Sequence, residues 1–223
     1  MSATNPVSAV IFDMDGLLND SEPFWYQAEQ EIFSSHGFDL SRRNELTDTT
    51  GLRIDQVVKM WYDLLVGQGG DQQTITQQFI HRTLELVESK KPLLPGVIHA
   101  LELCRQLGLK MGLASASPLF MIERVLQLFA IRQYFDVIAS AETLPWSKPH
   151  PQVYLNAAAG LAVEPVNCVA LEDSINGMIA SKAARMRSIV IPDAAHSNDP
   201  RWSLANVRLS SLDELTGYHL LGE

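Results

Sequence analysis

Short apolar runs that stop at polar turns alternate with helical periodicity along most of the chain. Residues 7–12 are rich in β-branched side chains and end abruptly at Asp13-Met14-Asp15-Gly16, the pattern of a buried strand followed by a turn. Residues 109–114 repeat it, ending at Ser115-Ala116-Ser117-Pro118. Residues 168–171 end at Glu172-Asp173-Ser174, residues 188–191 end at Pro192, and residues 137–139 form a weaker run. Between these lie helical patterns at 97–107, bounded by Pro95-Gly96 and Gly108, at 119–129 after Pro118, at 152–161 and at 175–186. Strand–helix alternation from residue 95 onward predicts an α/β fold. Its core is a doubly wound, Rossmann-like parallel sheet with helices on both faces.

Residues 18–91 break that rhythm and hold no convincing buried strand. Helices are predicted at 24–36, 54–65 and 75–89, the last with Ile75, Phe79, Ile80, Leu84 and Val87 on one face. The expected organisation is a helical domain, 19–91, inserted into a core made of 1–18 and 92–223. Pro92-Leu93-Leu94-Pro95-Gly96 would be the second of two linkers.

With 223 residues, 46% of them apolar, the chain can bury a substantial core. Its net charge of −9 argues against a nucleic-acid partner, which calls for a basic stripe. An anionic substrate needs only a local positive site. Cys104 and Cys168 sit in apolar settings and read as buried thiols, not as a disulfide framework. Residues 1–6 lack the pattern of a signal peptide, and no apolar run approaches the roughly 18–20 residues of a membrane span. A cytoplasmic protein with no membrane partner is expected. None of the six histidines has the paired spacing of a zinc site.

In an open parallel sheet, ligands gather beyond the carboxyl ends of the strands. Here those ends carry Asp13 and Asp15, then Ser115, then Glu172 and Asp173. Carboxylates crowded together need a cation, and an all-oxygen donor set suits Mg²⁺. Lys148, held between Ser147 and Pro149 just before a helix, would set a fixed ammonium beside them, as a phosphoryl group requires. Taken singly, each element has a common structural reading: an Asp-x-Asp pair as a turn, Ser115 as a helix cap, Lys148 as a solvated lysine, Glu172-Asp173 as a cap. Their joint placement at successive strand ends gives the pattern its weight.

That constellation resembles the haloacid dehalogenase (HAD) superfamily. Asp13-Met14-Asp15-Gly16 resembles its first motif, Leu113-Ala114-Ser115 the second, Lys148-Pro149 the third and Glu172-Asp173 the fourth. The insertion is similar to the small helical cap of the subfamily that includes β-phosphoglucomutase and many sugar phosphatases. Over nearly its whole length the chain resembles bacterial 2-deoxyglucose-6-phosphate (hexitol phosphate) phosphatases, notably at Arg42-Arg43-Asn44-Glu45-Leu46, 113–118 and 171–187. Asn19 departs from the pattern, being polar where an aliphatic residue is expected near the cap hinge.

The resemblance implies roles. Asp13 would be the nucleophile and a Mg²⁺ ligand. Asp15 would be the acid and base, with its carbonyl on Mg²⁺. Ser115 and the Ala116 N–H would hold the phosphate, and Lys148 would neutralise nucleophile and phosphate. Asp173 would bind Mg²⁺, and Glu172 would either bind it too or stand directly behind its ligands. Asp15 points to phosphate esters, since dehalogenases and phosphonate hydrolases of this pattern lack that acid. The expected partner is a small sugar phosphate, and the expected state a monomer. The rival activity is a phosphohexose mutase, which grips a second phosphate from the cap. Within Thr49-Thr50-Gly51-Leu52-Arg53 only Arg53 is cationic, a thin basis for holding a dianion. Trp25, Arg53 and Trp61 are candidate substrate contacts. A non-catalytic sugar-phosphate-binding regulator is a further alternative, although none of Asp13, Asp15, Lys148 or Asp173 is missing.

Overall fold

The computed structural model describes residues 6–46, 49–65 and 70–222. Its centre is a six-stranded parallel sheet of β1 (Ala9–Phe12), β2 (Lys110–Ser115), β3 (Val137–Ser140), β4 (Cys168–Glu172), β5 (Arg187–Val190) and β6 (Val207–Arg208), in the order β3-β2-β1-β4-β5-β6. Every residue of β1 and β4 is buried, because helices cover both faces. This explains why those strands read as unbroken apolar runs. The expected parallel α/β core is therefore present. The sequence pattern missed β6, whose two residues at the sheet edge are too short for any periodicity.

The strand order reverses at β1, which pairs with β2 on one side and β4 on the other. A crevice opens at such a switch point, and there Asp13, Ser115 and Asp173 emerge.

Between β1 and α4 (Val97–Gln106) the chain is helical, as expected, in α1 (Glu22–Ser35), α2 (Ile54–Leu64) and α3 (Gln72–Lys90). Helix α3 starts three residues before the apolar pattern because the Asp71 side chain accepts from the Thr74 N–H and caps it. The remaining helices are α5 (Leu119–Leu128), α6 (Gln152–Gly160), α7 (Ile175–Ala183) and α8 (Gly217–Leu221). Helix α7 stops short of the predicted Met186, where Arg185 turns left-handed at φ 67°. Phe33, Phe38, Trp61 and Phe79 form an aromatic cluster inside the insertion. One contiguous apolar core links them to Phe12 and Leu113 of the sheet. Among the described residues no helix is long and apolar enough to cross a membrane.

The two connections between insertion and sheet run side by side. Asp20 N–H donates to Pro92 O (2.8 Å), Leu94 N–H donates to Leu18 O (3.0 Å), and Asn19 bridges both to Asp15 and, antiparallel, to Leu93. Asn19 is fully buried here, and neither atom of its side-chain amide has a protein partner. An unpaired buried amide costs about 1–3 kcal/mol. Asn19→Leu should therefore raise the unfolding free energy by about 1–2 kcal/mol, seen as a higher Tm. An unchanged or lower Tm would mean that the amide is satisfied in solution.

Candidate active site

The site begins at the end of β1. Asp13, 4% exposed, accepts at Oδ1 from Lys148 Nζ (2.6 Å), which also donates to Glu172 Oε1 (2.6 Å) at the end of β4. Lys148 is 1% exposed, so this ammonium is held entirely by protein. Tyr154 of α6 donates its O–H to the same Glu172 oxygen, and its ring lies 5.2 Å from Nζ. The other Glu172 oxygen accepts from the N–H groups of Asp173 and Ser174 and from Ser174 Oγ. Glu172 is thus an anchor for Lys148 more than a helix cap. The cap of α7 is Ser174, whose side chain accepts from the Gly177 N–H.

Two glycines keep this cluster tight. A Cβ on Gly16, already at φ +78°, would lie 2.0 Å from Asp173 Oδ2. A Cβ on Gly177 would lie 1.8 Å from Glu172 Oε1. Both carboxylates are packed against bare backbone, where no side chain fits.

Oxygens of Asp13, Glu172 and Asp173 lie within 4.8 Å of one another, and all three residues are buried. Burial, then the Glu172 charge, push the Asp13 carboxyl up to about 7 despite the opposing Lys148 ammonium. Asp173 is raised well above the ordinary carboxylate range by burial and by the Asp13 and Glu172 charges. Burial alone would lower the Lys148 pKa, but Asp13 and Glu172 outweigh it and raise it. Three carboxylates thus share one ammonium, and if all three were ionised the excess would be negative. Asp173 Oδ1 is buried with no hydrogen-bond partner. An orphaned hard oxygen in an all-carboxylate cluster fits a hard divalent cation such as Mg²⁺.

Asp15 lies outside this charge cluster. Its Oδ1 accepts from Ser21 Oγ (2.7 Å) and Trp25 Nε1 (3.4 Å), and its Oδ2 accepts from Ser117 Oγ (2.7 Å). Hydroxyls from the first linker and from the turn after β2 thus fix its direction. Ser115, at the end of β2, accepts at Oγ from the Ser117 N–H (3.0 Å), which leaves its own O–H to donate.

A cavity of about 560 Å³ brings these groups together. Asp13, Asp15, Ser115, Ala116, Ser117 and Lys148 line it from the sheet side, and Trp25, Glu29, Arg43 and Phe79 from the insertion. Of the expected contacts, Trp25 is there, but Arg53 and Trp61 are not in the lining. Arg53 forks onto Asp55 (2.6 and 2.8 Å) and donates from Nη1 to the carbonyls of Ala141 and Leu144 (both 2.7 Å). It ties α2 to the loop after β3. Trp61 is fully buried, packed on Phe33 and Phe38, and its indole N–H donates to Glu29.

Sequence reasoning missed Ser21 and Ser117, which hold Asp15, and Tyr154, which holds Glu172. It also missed Glu29 and Arg43. Ser117 and Arg43 lie in stretches already singled out. Nothing in their local pattern says which way they face, since their partners come from distant segments.

The chain is similar to known proteins in sequence and in fold. The haloacid dehalogenase-like hydrolase family matches residues 10–191. Hexitol phosphatase B of Escherichia coli K12 is 60% identical over 222 residues, spanning 100% of both chains. Among solved structures, β-phosphoglucomutase from Clostridium difficile superposes with a TM-score of 0.83 at 26% identity, covering 96% of this chain and 95% of that one. CbbY from Rhodobacter sphaeroides, in complex with phosphate, gives 0.82 at 29% identity, covering 97% and 100%.

Proposed function

The chain belongs to the haloacid dehalogenase-like hydrolase family, and from that premise we propose that it is a Mg²⁺-dependent phosphatase of hexose 6-phosphates or hexitol phosphates. The full-length similarity to hexitol phosphatase B supports a phosphoric monoester hydrolase acting on sugar phosphates. One observation carries the mechanism. Two aspartates two residues apart face one cavity in opposite settings, Asp13 against an ammonium and Asp15 among hydroxyls.

In this reading an Asp13 oxygen attacks phosphorus in line. The bond from phosphorus to the ester oxygen breaks, and the departing oxygen takes a proton from Asp15. Water then attacks the aspartyl phosphate and gives its proton to Asp15. The acyl–phosphate bond breaks, restoring the Asp13 carboxylate and releasing phosphate. Lys148, the Ser115 hydroxyl and the Ala116 N–H bind the non-bridging oxygens. Mg²⁺, held by Asp13, Asp173 and the Asp15 carbonyl with Glu172 beside it, would supply further charge neutralisation there. Residues 19–91 act as a cap over a core of 1–18 and 92–223. They exclude water during attack and open for release.

The direct test is phosphate release from 2-deoxyglucose 6-phosphate and mannitol 1-phosphate, with Mg²⁺ and with EDTA. Mg²⁺-dependent release is expected. In parallel, β-glucose 1-phosphate is incubated with catalytic glucose 1,6-bisphosphate. Conversion to glucose 6-phosphate with little free phosphate would make the protein a mutase instead. Metal binding has its own readout. Mg²⁺ at a hundredfold excess over its Kd should stabilise the fold by about 2.7 kcal/mol, seen as a rise in Tm. Asp173→Asn should abolish that rise. An equal rise in the variant would take Asp173 out of the ligand set.

A further inference from the structure

Three elements of the insertion converge on one buried carboxylate. Glu29 of α1 is only 3% exposed, yet it lines the cavity. Its Oε1 accepts from Trp61 Nε1 of α2 (2.7 Å), and its Oε2 accepts from Arg43 Nε (2.9 Å). Arg43 lies in the turn Leu40–Glu45, lines the same cavity and donates from Nη2 to Thr49 Oγ1 (3.0 Å). These bonds all stay within the insertion, on the side of the cavity that faces the phosphate-binding groups. None of them serves the chemistry described above.

A guanidinium in a cavity is ordinarily a grip for a second anion. Here a carboxylate lies against it, so the pair sums to zero. A second phosphate approaching Arg43 would meet the Glu29 charge as well. What the neutral pair does offer is acceptors beside donors, the array that vicinal hydroxyls match by donating to the carboxylate and accepting from the guanidinium. Trp61, wedged against Phe33 and Phe38, prevents Glu29 from turning away. Trp25 and Phe79, whose rings meet edge-to-face at 5.5 Å, add an apolar wall in the same lining.

We propose that the Glu29–Arg43 pair, fixed by Trp61, is the subsite for the phosphate-free end of the substrate: it reads hydroxyls and excludes a second phosphate. This deepens the sugar-phosphatase reading and rests on it. It also implies a latent switch. Neutralising Glu29 would leave the Arg43 charge uncompensated and turn the subsite into an anion grip.

The test compares wild type, Glu29→Gln, Arg43→Gln and the double variant on mannitol 1-phosphate, mannitol 1,6-bisphosphate and p-nitrophenyl phosphate. The last substrate has no hydroxyls for the subsite and reports fold and chemistry alone. Glu29→Gln keeps an oxygen for Trp61. It should lower kcat/KM on mannitol 1-phosphate by about tenfold or more and leave p-nitrophenyl phosphate within about threefold. It should also raise the preference for the bisphosphate by about tenfold. That gain should vanish in the double variant. Equal losses on mannitol 1-phosphate and p-nitrophenyl phosphate would reduce Glu29 to a structural role. An unchanged bisphosphate preference would overturn the exclusion. If Glu29→Gln does not fold, Arg43→Gln decides, because it must lose mannitol 1-phosphate turnover selectively. If wild type hydrolyses no ester, the phosphatase reading fails on its own. Calorimetric affinities of Asp13→Asn for the two mannitol phosphates, with and without Glu29→Gln, then test the subsite by the same ratio.

Discussion

Asp13→Asn is expected to lower phosphate release from 2-deoxyglucose 6-phosphate by about 10⁴-fold or more, the scale seen when a covalent nucleophile is removed. The substitution keeps the shape of the side chain and an oxygen for the Lys148 ammonium, which now sits 2.6 Å from Oδ1. What it removes is the attacking electron pair and one negative charge. That charge is costly in the metal-free fold, since burial and Glu172 push the Asp13 carboxyl up to about 7. The metal-free variant should therefore melt at or above the wild-type Tm while being inactive. Melting curves beside the assay separate this from misfolding, which would lower both. Activity within about tenfold of wild type would take Asp13 out of the nucleophile's role.

Lys148→Met should be damaging in two ways. Activity should fall by about 10³-fold, as when one preorganised charge partner of a transition state is lost. Stability at neutral pH should fall by about 3–5 kcal/mol, because buried Asp13 and Glu172 lose the cation between them. The sign of the pH dependence follows from the raised carboxyl. Folding moves Asp13 from an ordinary value of 3.8 to about 7. Across that window the folded protein holds more protons than the unfolded chain, so this group's contribution falls as pH rises. Without the ammonium, that fall should steepen. The Tm gap between Lys148→Met and wild type should thus be narrower at pH 5 than at pH 8. A gap that widens on acidification would mean the lysine is not neutralising these carboxylates.

The centre of the sheet was legible because β1 and β4 are buried on both faces and polar residues stop them at one rim. Asp13, Ser115 and Glu172-Asp173 fall there by register alone, with β1 between β2 and β4. Lys148 was legible as a stiff loop cation, and the structure gives it two carboxylate partners. The insertion was legible as helix but not as a surface. Arg53 read as a cation for the substrate, yet three hydrogen-bonding arms tie it to Asp55 and to the loop after β3. Trp61 read as a candidate contact, and it is fully buried with its indole N–H donating to Glu29. Which cationic side chain of a small helical bundle reaches the cavity depends on packing angles that periodicity does not encode. Arg43, in a 3-10 turn without apolar rhythm, fills that position. Asn19 likewise stands out in the chain as an oddity, but only the paired linkers show that it is buried between them.

If the phosphoryl group passes through Asp13, the stereochemical course at phosphorus records it. A substrate analogue whose thiophosphate group is made chiral with two oxygen isotopes is hydrolysed with Mg²⁺ in water of the third isotope, and the configuration of the released thiophosphate is determined. Attack by Asp13 and then by water gives two in-line inversions, so net retention is expected. Net inversion would mean that water attacks the ester directly, and would contradict a phosphoryl group carried on Asp13.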